Sequence, residues 1–281
     1  MSRCITDPAD RPDSDASPTS RPVGRLLSPA EVGADWLVRS EAGGNLWSHT
    51  THVAMSALRK GVRYAVLSPD FGLWNPMILL DSVRRLSDCW RQRDPESRLD
   101  LLAELPLGHD LFTQADQASR LLGGLHRRFV RIRMGAAGMT ASNLDWLLPV
   151  LSRFRDRGQT PILCGLESCE SMARCTHFVD AARSGGAWVQ LPCRALVGRH
   201  GKAARRLCRK LIVSGRCDLI AGGQHGLASA VAFRHVQQWA GPRVAEQIFV
   251  RNAEQLLVGR KRRLETTAAT PLRRMLSVVG A

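Results

Sequence analysis

The sequence predicts an α/β fold with parallel strands, and three observations carry that prediction. Short apolar runs recur at Arg63–Leu67, Leu99–Ala103, Phe129–Met134, Pro161–Cys164, Trp188–Leu191 and Asp218–Ala221. Each is separated from the next by a segment long enough for a helix. Strand ends carry polar residues, as in Ser68-Pro69-Asp70, Glu104 and Gly222-Gly223-Gln224-His225. Alternation of this kind needs helical crossovers between parallel strands, and barrel enzymes place reactive groups at such ends.

Two helices are legible in detail. Between Ser142 and Gly158, Leu144, Leu147, Leu148 and Leu151 share one face, Ser142 caps the start, and Gly158 suits a left-handed end. Pro149 should kink that helix. Between Lys202 and Gly215, Ala204, Leu207, Cys208, Leu211 and Ile212 form a buried stripe, and Arg205, Arg206, Arg209 and Lys210 lie outside it as a solvated basic face.

The length of 281 residues and 44% hydrophobic content suit one sizeable domain. Residues 1–25 read as a disordered tail, 26–260 as the folded domain and 261–281 as a basic C-terminal tail. No run approaches the roughly 18 apolar residues of a membrane span, and the polar start lacks the pattern of an export signal. The expectation is therefore a cytoplasmic protein. Eight cysteines without a CxxC pair are expected to be reduced and mostly structural. The net charge of +15 comes from 36 Arg and 4 Lys, spread along the chain rather than clustered, and there is one Tyr. Nucleic acid is accordingly not the expected partner.

Familiar catalytic signatures are missing: there is no GxxxxGK[ST], HExxH or GxSxG. Cys193 and Arg199 fit Cys-x5-Arg, the loop of thiol-dependent phosphatases. About one such match is expected by chance at this composition, and apolar Ala195, Leu196 and Val197 replace the small residues a working loop wants. Cys193 is expected to be structural. His49 and His52 could share a helix face but lack a carboxylate cluster.

The segment Val189-Gln-Leu-Pro-Cys-Arg-Ala-Leu-Val-Gly-Arg-His-Gly-Lys, its basic helix, the run Ile220-Ala-Gly-Gly-Gln-His225 and the closing Asn252–Leu257 resemble one family. It is that of the bacterial metal-dependent tyrosine phosphatases of capsule and exopolysaccharide clusters, in the polymerase-and-histidinol-phosphatase superfamily. The resemblance spans about residues 30 to 258 and implies a distorted seven-stranded (β/α) barrel. It also implies a manganese cluster that activates hydroxide against phosphotyrosine.

Carried over position by position, the resemblance yields Glu31, Asp35, Asp70, Glu104 and His225 as metal ligands. Gly33 and Asp35 stand where the family has histidines, Asp70 replaces another, and Gly165-Leu-Glu-Ser168 replaces an H-P-E-R turn. Such a set suits no three-metal site. It leaves either a single carboxylate-rich Mn²⁺ or Mg²⁺ site or no metal at all. The resemblance thus implies a catalytically impaired homologue that binds a phosphotyrosine-bearing or acidic protein partner, with Arg199 and Lys202 as phosphate-binding candidates. The alternative is an active phosphoester hydrolase with a rebuilt site at Asp70, Glu104 and His225.

Overall fold

A computed structural model describes residues 32–38, 64–69, 76–93, 95, 98–134, 141–169, 176–221 and 226–258. Its strands are β1 (Val32–Val38), β2 (Tyr64–Pro69), β3 (Arg98–Leu101), β4 (Glu104–Pro106), β5 (Phe129–Arg133), β6 (Thr160–Cys164), β7 (Trp188–Pro192) and β8 (Leu219–Ala221). Between and after them come the helices α1 (Pro76–Arg93), α2 (Leu111–Leu122), α3 (Ala141–Asp156), α4 (Thr176–Ser184), α5 (Cys193–Leu196) and α6 (Gly201–Val213). The last described elements are α7 (Gly226–Ala240), α8 (Pro242–Glu246), a π-helical turn over Gln247–Arg251 and α9 (Asn252–Val258).

Among the described residues all strand pairs are parallel. Hydrogen bonding joins them as a three-stranded sheet, β1-β2-β3, and a five-stranded sheet, β4-β5-β6-β7-β8. The division falls between β3 and β4, where Leu102 and Ala103 lie outside any ladder. The expected strand Leu99–Ala103 ends at Leu101 as β3, a second short strand follows from Glu104 in the other sheet, and among the described residues the ladders do not form one seven-stranded ring. Cα atoms of β1 and β8 nevertheless come within 8 Å of each other.

Alternation along the strands creates two apolar layers. Val130, Ile132, Leu163, Val189 and Leu191 pack outward with Leu151, Phe154, Phe178 and Leu211 from the helices. On the opposite side, Val66, Leu102, Phe129, Ile162, Trp188 and Leu219 form one inner cluster shared by both sheets, with Leu125, Ala253 and Leu256 packed against it. Phe129 and Trp188 meet there edge to face, with centroids 5.8 Å apart. Parallel strands buried on both faces need such near-continuous apolar runs, which is why they were visible in the sequence.

The two helices read from the sequence are present as α3 and α6. Gly158 adopts the left-handed conformation past the end of α3 (φ +73°). Pro149 lies within α3, exposed, and the helix runs on to Asp156. In α6 the buried residues are Ala204, Leu207, Cys208, Leu211 and Ile212, the stripe that the spacing predicts. β1 was not anticipated as a strand. Both terminal tails, as well as His49 and His52, lie outside the described residues.

Candidate site at the C-terminal ends of the strands

Each residue of the inner cluster from β2, β5, β6, β7 and β8, and Leu102 just before β4, has a successor two positions on, one step closer to the C-terminal end. The pairs are Val66 to Ser68, Leu102 to Glu104, Phe129 to Arg131, Ile162 to Cys164, Trp188 to Gln190 and Leu219 to Ala221. All six successors are buried. The inner face thus changes from apolar to mostly polar within one strand step.

Glu104 and Arg131 are the charged members of this layer. The ladder sets them directly opposite each other. Arg131 Nη2 lies 3.1 Å from Glu104 Oε2, and Arg133, next on the same face of β5, places its Nε 3.5 Å from Oε1. Arg131 Nε also donates to Cys164 Sγ at 3.3 Å, and that thiol lies 3.7 Å from Glu104 Oε2. Glu104 is 2% exposed, whereas the Arg133 side chain is 28% exposed, so the cluster runs from the interior towards the mouth. Burying a carboxylate is tolerable only with partners of this kind.

Beyond the layer, β6 turns at Gly165 (φ +78°) into a short helical turn over Leu166–Ser168. That turn presents Glu167, whose Oε1 lies 3.5 Å from His200 Nδ1 just before α6. Glu167 Oε2 is buried without a hydrogen-bond partner. Arg199 and Lys202, the phosphate-binding candidates, are exposed on either side of His200. Cys193 is buried, its Sγ faces Ser229 Oγ at 3.7 Å, and burial pushes its thiol up to about 12. A thiol held protonated in this way is no nucleophile.

Of the ligands implied by the resemblance, Glu31, Asp70 and His225 lie outside the described residues. Asp35 falls within β1, where the register with β2 slips between Gly33 and Trp36. Glu104 is the one whose side-chain surroundings are described, and they do not fit a divalent metal ion. Its Oε2 and Oε1 already face the Arg131 and Arg133 guanidinium groups, so a divalent cation there would have to displace two like-charged neighbours. Among the described residues no group of three or more His, Cys, Asp or Glu side chains could hold a metal.

Sequence reasoning overlooked Arg131 and Arg133. The signal was partial: two arginines two apart in a strand apolar on its other face call for acidic partners or solvent, and the register with β4 decides that Glu104 is the partner.

The sequence profile of the family described as "Capsular polysaccharide synthesis, CpsB/CapC" matches residues 43–258. This chain belongs to the CpsB/CapC family. Among solved structures, it is similar to one reported under "Crystal structures of YwqE from Bacillus subtilis and CpsB from Streptococcus pneumoniae, unique metal-dependent tyrosine phosphatases". The TM-score is 0.63 at 16% identity, over 75% of this chain and 87% of the other, which shows a shared fold. An octameric ribulose-1,5-bisphosphate carboxylase/oxygenase from Pyrococcus horikoshii OT3 is far more distant, with a TM-score of 0.39 at 14% identity, over 83% of this chain and 64% of that one. No curated protein sequence matches the chain. Among the described residues, no helix is long and apolar enough to cross a membrane.

Proposed function

We propose that this CpsB/CapC member is a catalytically impaired phosphatase homologue that acts as a binding or regulatory protein in polysaccharide export. One observation carries the reading: Glu104, the glutamate that would bridge metals, is held by Arg131 and Arg133 inside the protein. Cations that would polarise a phosphoryl group and generate hydroxide have no footing beside two guanidinium groups. Loss of a single oxyanion-stabilising donor typically costs ~10²–10³ in rate, so a site missing several ligands should retain almost no turnover.

In this proposal β3 and β4 act as one interrupted strand of the family's distorted barrel, with β1 and β8 adjoining. A phosphotyrosine-bearing or acidic protein partner approaches the strand-end mouth, where Arg199 and Lys202 offer exposed positive charge. The deciding experiment is hydrolysis of a phosphotyrosine peptide by the full chain with added Mn²⁺, alongside metal analysis of the purified protein. Turnover close to background supports the proposal. Robust Mn²⁺-dependent turnover that is lost in Glu104→Ala and His225→Ala would instead establish a rebuilt site with Asp70, Glu104 and His225, and refute it.

A further inference from the structure

Helix α6 carries Lys202, Arg205, Arg206, Arg209 and Lys210, and no acidic residue occurs anywhere in α6 or α7. At 3.6 residues per turn, Lys202, Arg206, Arg209 and Val213 form one outward row, and Arg205 leans to one side of it. On α7, Val231, His235 and Trp239 recur every four residues and form a second row.

The two rows meet through specific contacts. His235 stacks on Trp239, with centroids 5.4 Å apart and planes within 4°. The Arg205 and Arg209 guanidinium groups lie 5.7 and 5.9 Å from the Trp239 ring centre, and Arg205 Nη2 is 3.4 Å from His235 Nε2. Among the described residues, no carboxylate pairs with Lys202, Arg205, Arg206 or Arg209. Val213 and Val231, 55% and 37% exposed, are the large hydrophobic side chains most open to solvent among the described residues, and both belong to these rows.

An indole that parks two guanidinium groups removes part of the entropy they would otherwise lose on binding. Guanidinium donors of this kind match carboxylates in bidentate geometry. Lys202 to Arg209 spans about 10 Å of helix, the length of roughly three residues of extended chain. The Trp239 ring is already engaged by His235 and the arginines, so it offers no open platform for stacking a nucleic-acid base.

We propose that the α6–α7 face built on Arg205, Arg209, His235 and Trp239 docks a short acidic peptide segment of a partner protein, with Val213 and Val231 providing apolar contact at its flanks. This deepens the binding reading above and rests on it only for the acidic character of the partner.

The test is fluorescence anisotropy of the full chain with a fluorescein-labelled peptide of alternating Glu and Tyr. Expected are saturable binding that weakens with added salt, at least a tenfold loss in Arg205→Ala/Arg209→Ala and a several-fold loss in Trp239→Leu. Arg120→Ala/Arg155→Ala, which removes the same charge elsewhere, should bind like the parent, and thermal melts identify variants that remain folded. Arg205→Lys/Arg209→Lys keeps the charge and should still bind more weakly. Equal losses in the two arginine-to-alanine double variants would reduce the effect to net charge and overturn the proposal. So would tighter binding of a single-stranded oligonucleotide, or of vesicles containing phosphatidylglycerol, through the same residues. Phosphotyrosine hydrolysis is measured on the same preparations: turnover would sink the impaired-enzyme reading and leave docking standing, whereas absent docking without turnover would do the reverse.

Discussion

Glu104 and Arg131 face each other in register across the β4–β5 ladder, both buried and joined at 3.1 Å. Truncating one side of such a pair leaves the other charge stranded. Glu104→Ala is expected to cost about 3–5 kcal/mol in urea denaturation, whereas Glu104→Leu/Arg131→Met should cost much less, because both charges then leave together. A single-variant loss below about 1 kcal/mol would show that the pair is not buried in solution.

The same pair predicts the response to metal. A ligand that binds the folded state at a hundred times its Kd adds about 2.7 kcal/mol of stability. Millimolar Mn²⁺ or Mg²⁺ should leave the thermal midpoint unchanged, and EDTA should not lower it. A clear rise with Mn²⁺ that disappears in Glu104→Ala would contradict the ion-pair assignment.

Asp218 is a second buried carboxylate with several partners. It accepts from Arg183 Nε and Nη2 at 3.0 and 2.9 Å and from Val189 N at 3.0 Å, and its own carbonyl accepts from Asn252 Nδ2 at 2.6 Å. One residue thereby ties α4, β7 and α9 to the start of β8. Asp218→Ala should cost about 3–5 kcal/mol. Asp180, whose carboxyl is held below its usual range by the Arg216 hydrogen bonds, is exposed, and Asp180→Ala should cost under about 1 kcal/mol. Equal losses in the two variants would remove the distinction.

His126 is 0% exposed, and neither ring nitrogen has a hydrogen-bond partner. Burial lowers its pKa from 6.5 to about 4. The unfolded chain therefore binds more protons than the folded one between these values, so stability is fully present above pH about 6.5 and is lost as pH falls towards 4. At about 1.4 kcal/mol per unit the loss attributable to this residue is about 3 kcal/mol. His126→Leu should flatten that part of the pH–stability curve, and an unchanged slope would show that the ring is not buried neutral.

Thiol labelling of the native protein should follow burial. Cys89 on α1 is exposed, whereas Cys193, Cys208 and Cys217 are buried with their thiols pushed well up by desolvation. Iodoacetamide followed by peptide mapping should modify Cys89 and spare the other three until denaturant is added. Early modification of Cys193 would overturn its structural assignment.

Strands buried on both faces were readable where their apolar runs are nearly continuous, as in Pro161–Cys164, whereas Phe129–Met134 alternates with Arg131 and Arg133. β1 escaped notice because Val32-Gly-Ala-Asp-Trp-Leu-Val38 mixes Gly and Asp into the run and its register is irregular. The break at Leu102–Ala103 was equally hidden, since nothing in an apolar sequence marks where one ladder ends and the next begins. At the site, Glu104 was singled out as a polar residue following a strand and, through the resemblance, as a metal ligand; the structure buries it at the start of β4 against arginines that were not singled out. Arg131 and Arg133 sit in a different strand, and only the register brings them to it.

Gly165 is the residue at which the resemblance would place a histidine. A Cβ there would meet the Met134 carbonyl oxygen at 2.9 Å, and the positive φ strains any L side chain. Restoring the histidine therefore means clearing that close approach and accepting about 1–3 kcal/mol of backbone strain before any ligand is regained. The backbone contact between this turn and Met134, just after β5, thus acts as a lock on residue choice: glycine alone fits it, and any ligand side chain at this corner would need the two chain segments to part first.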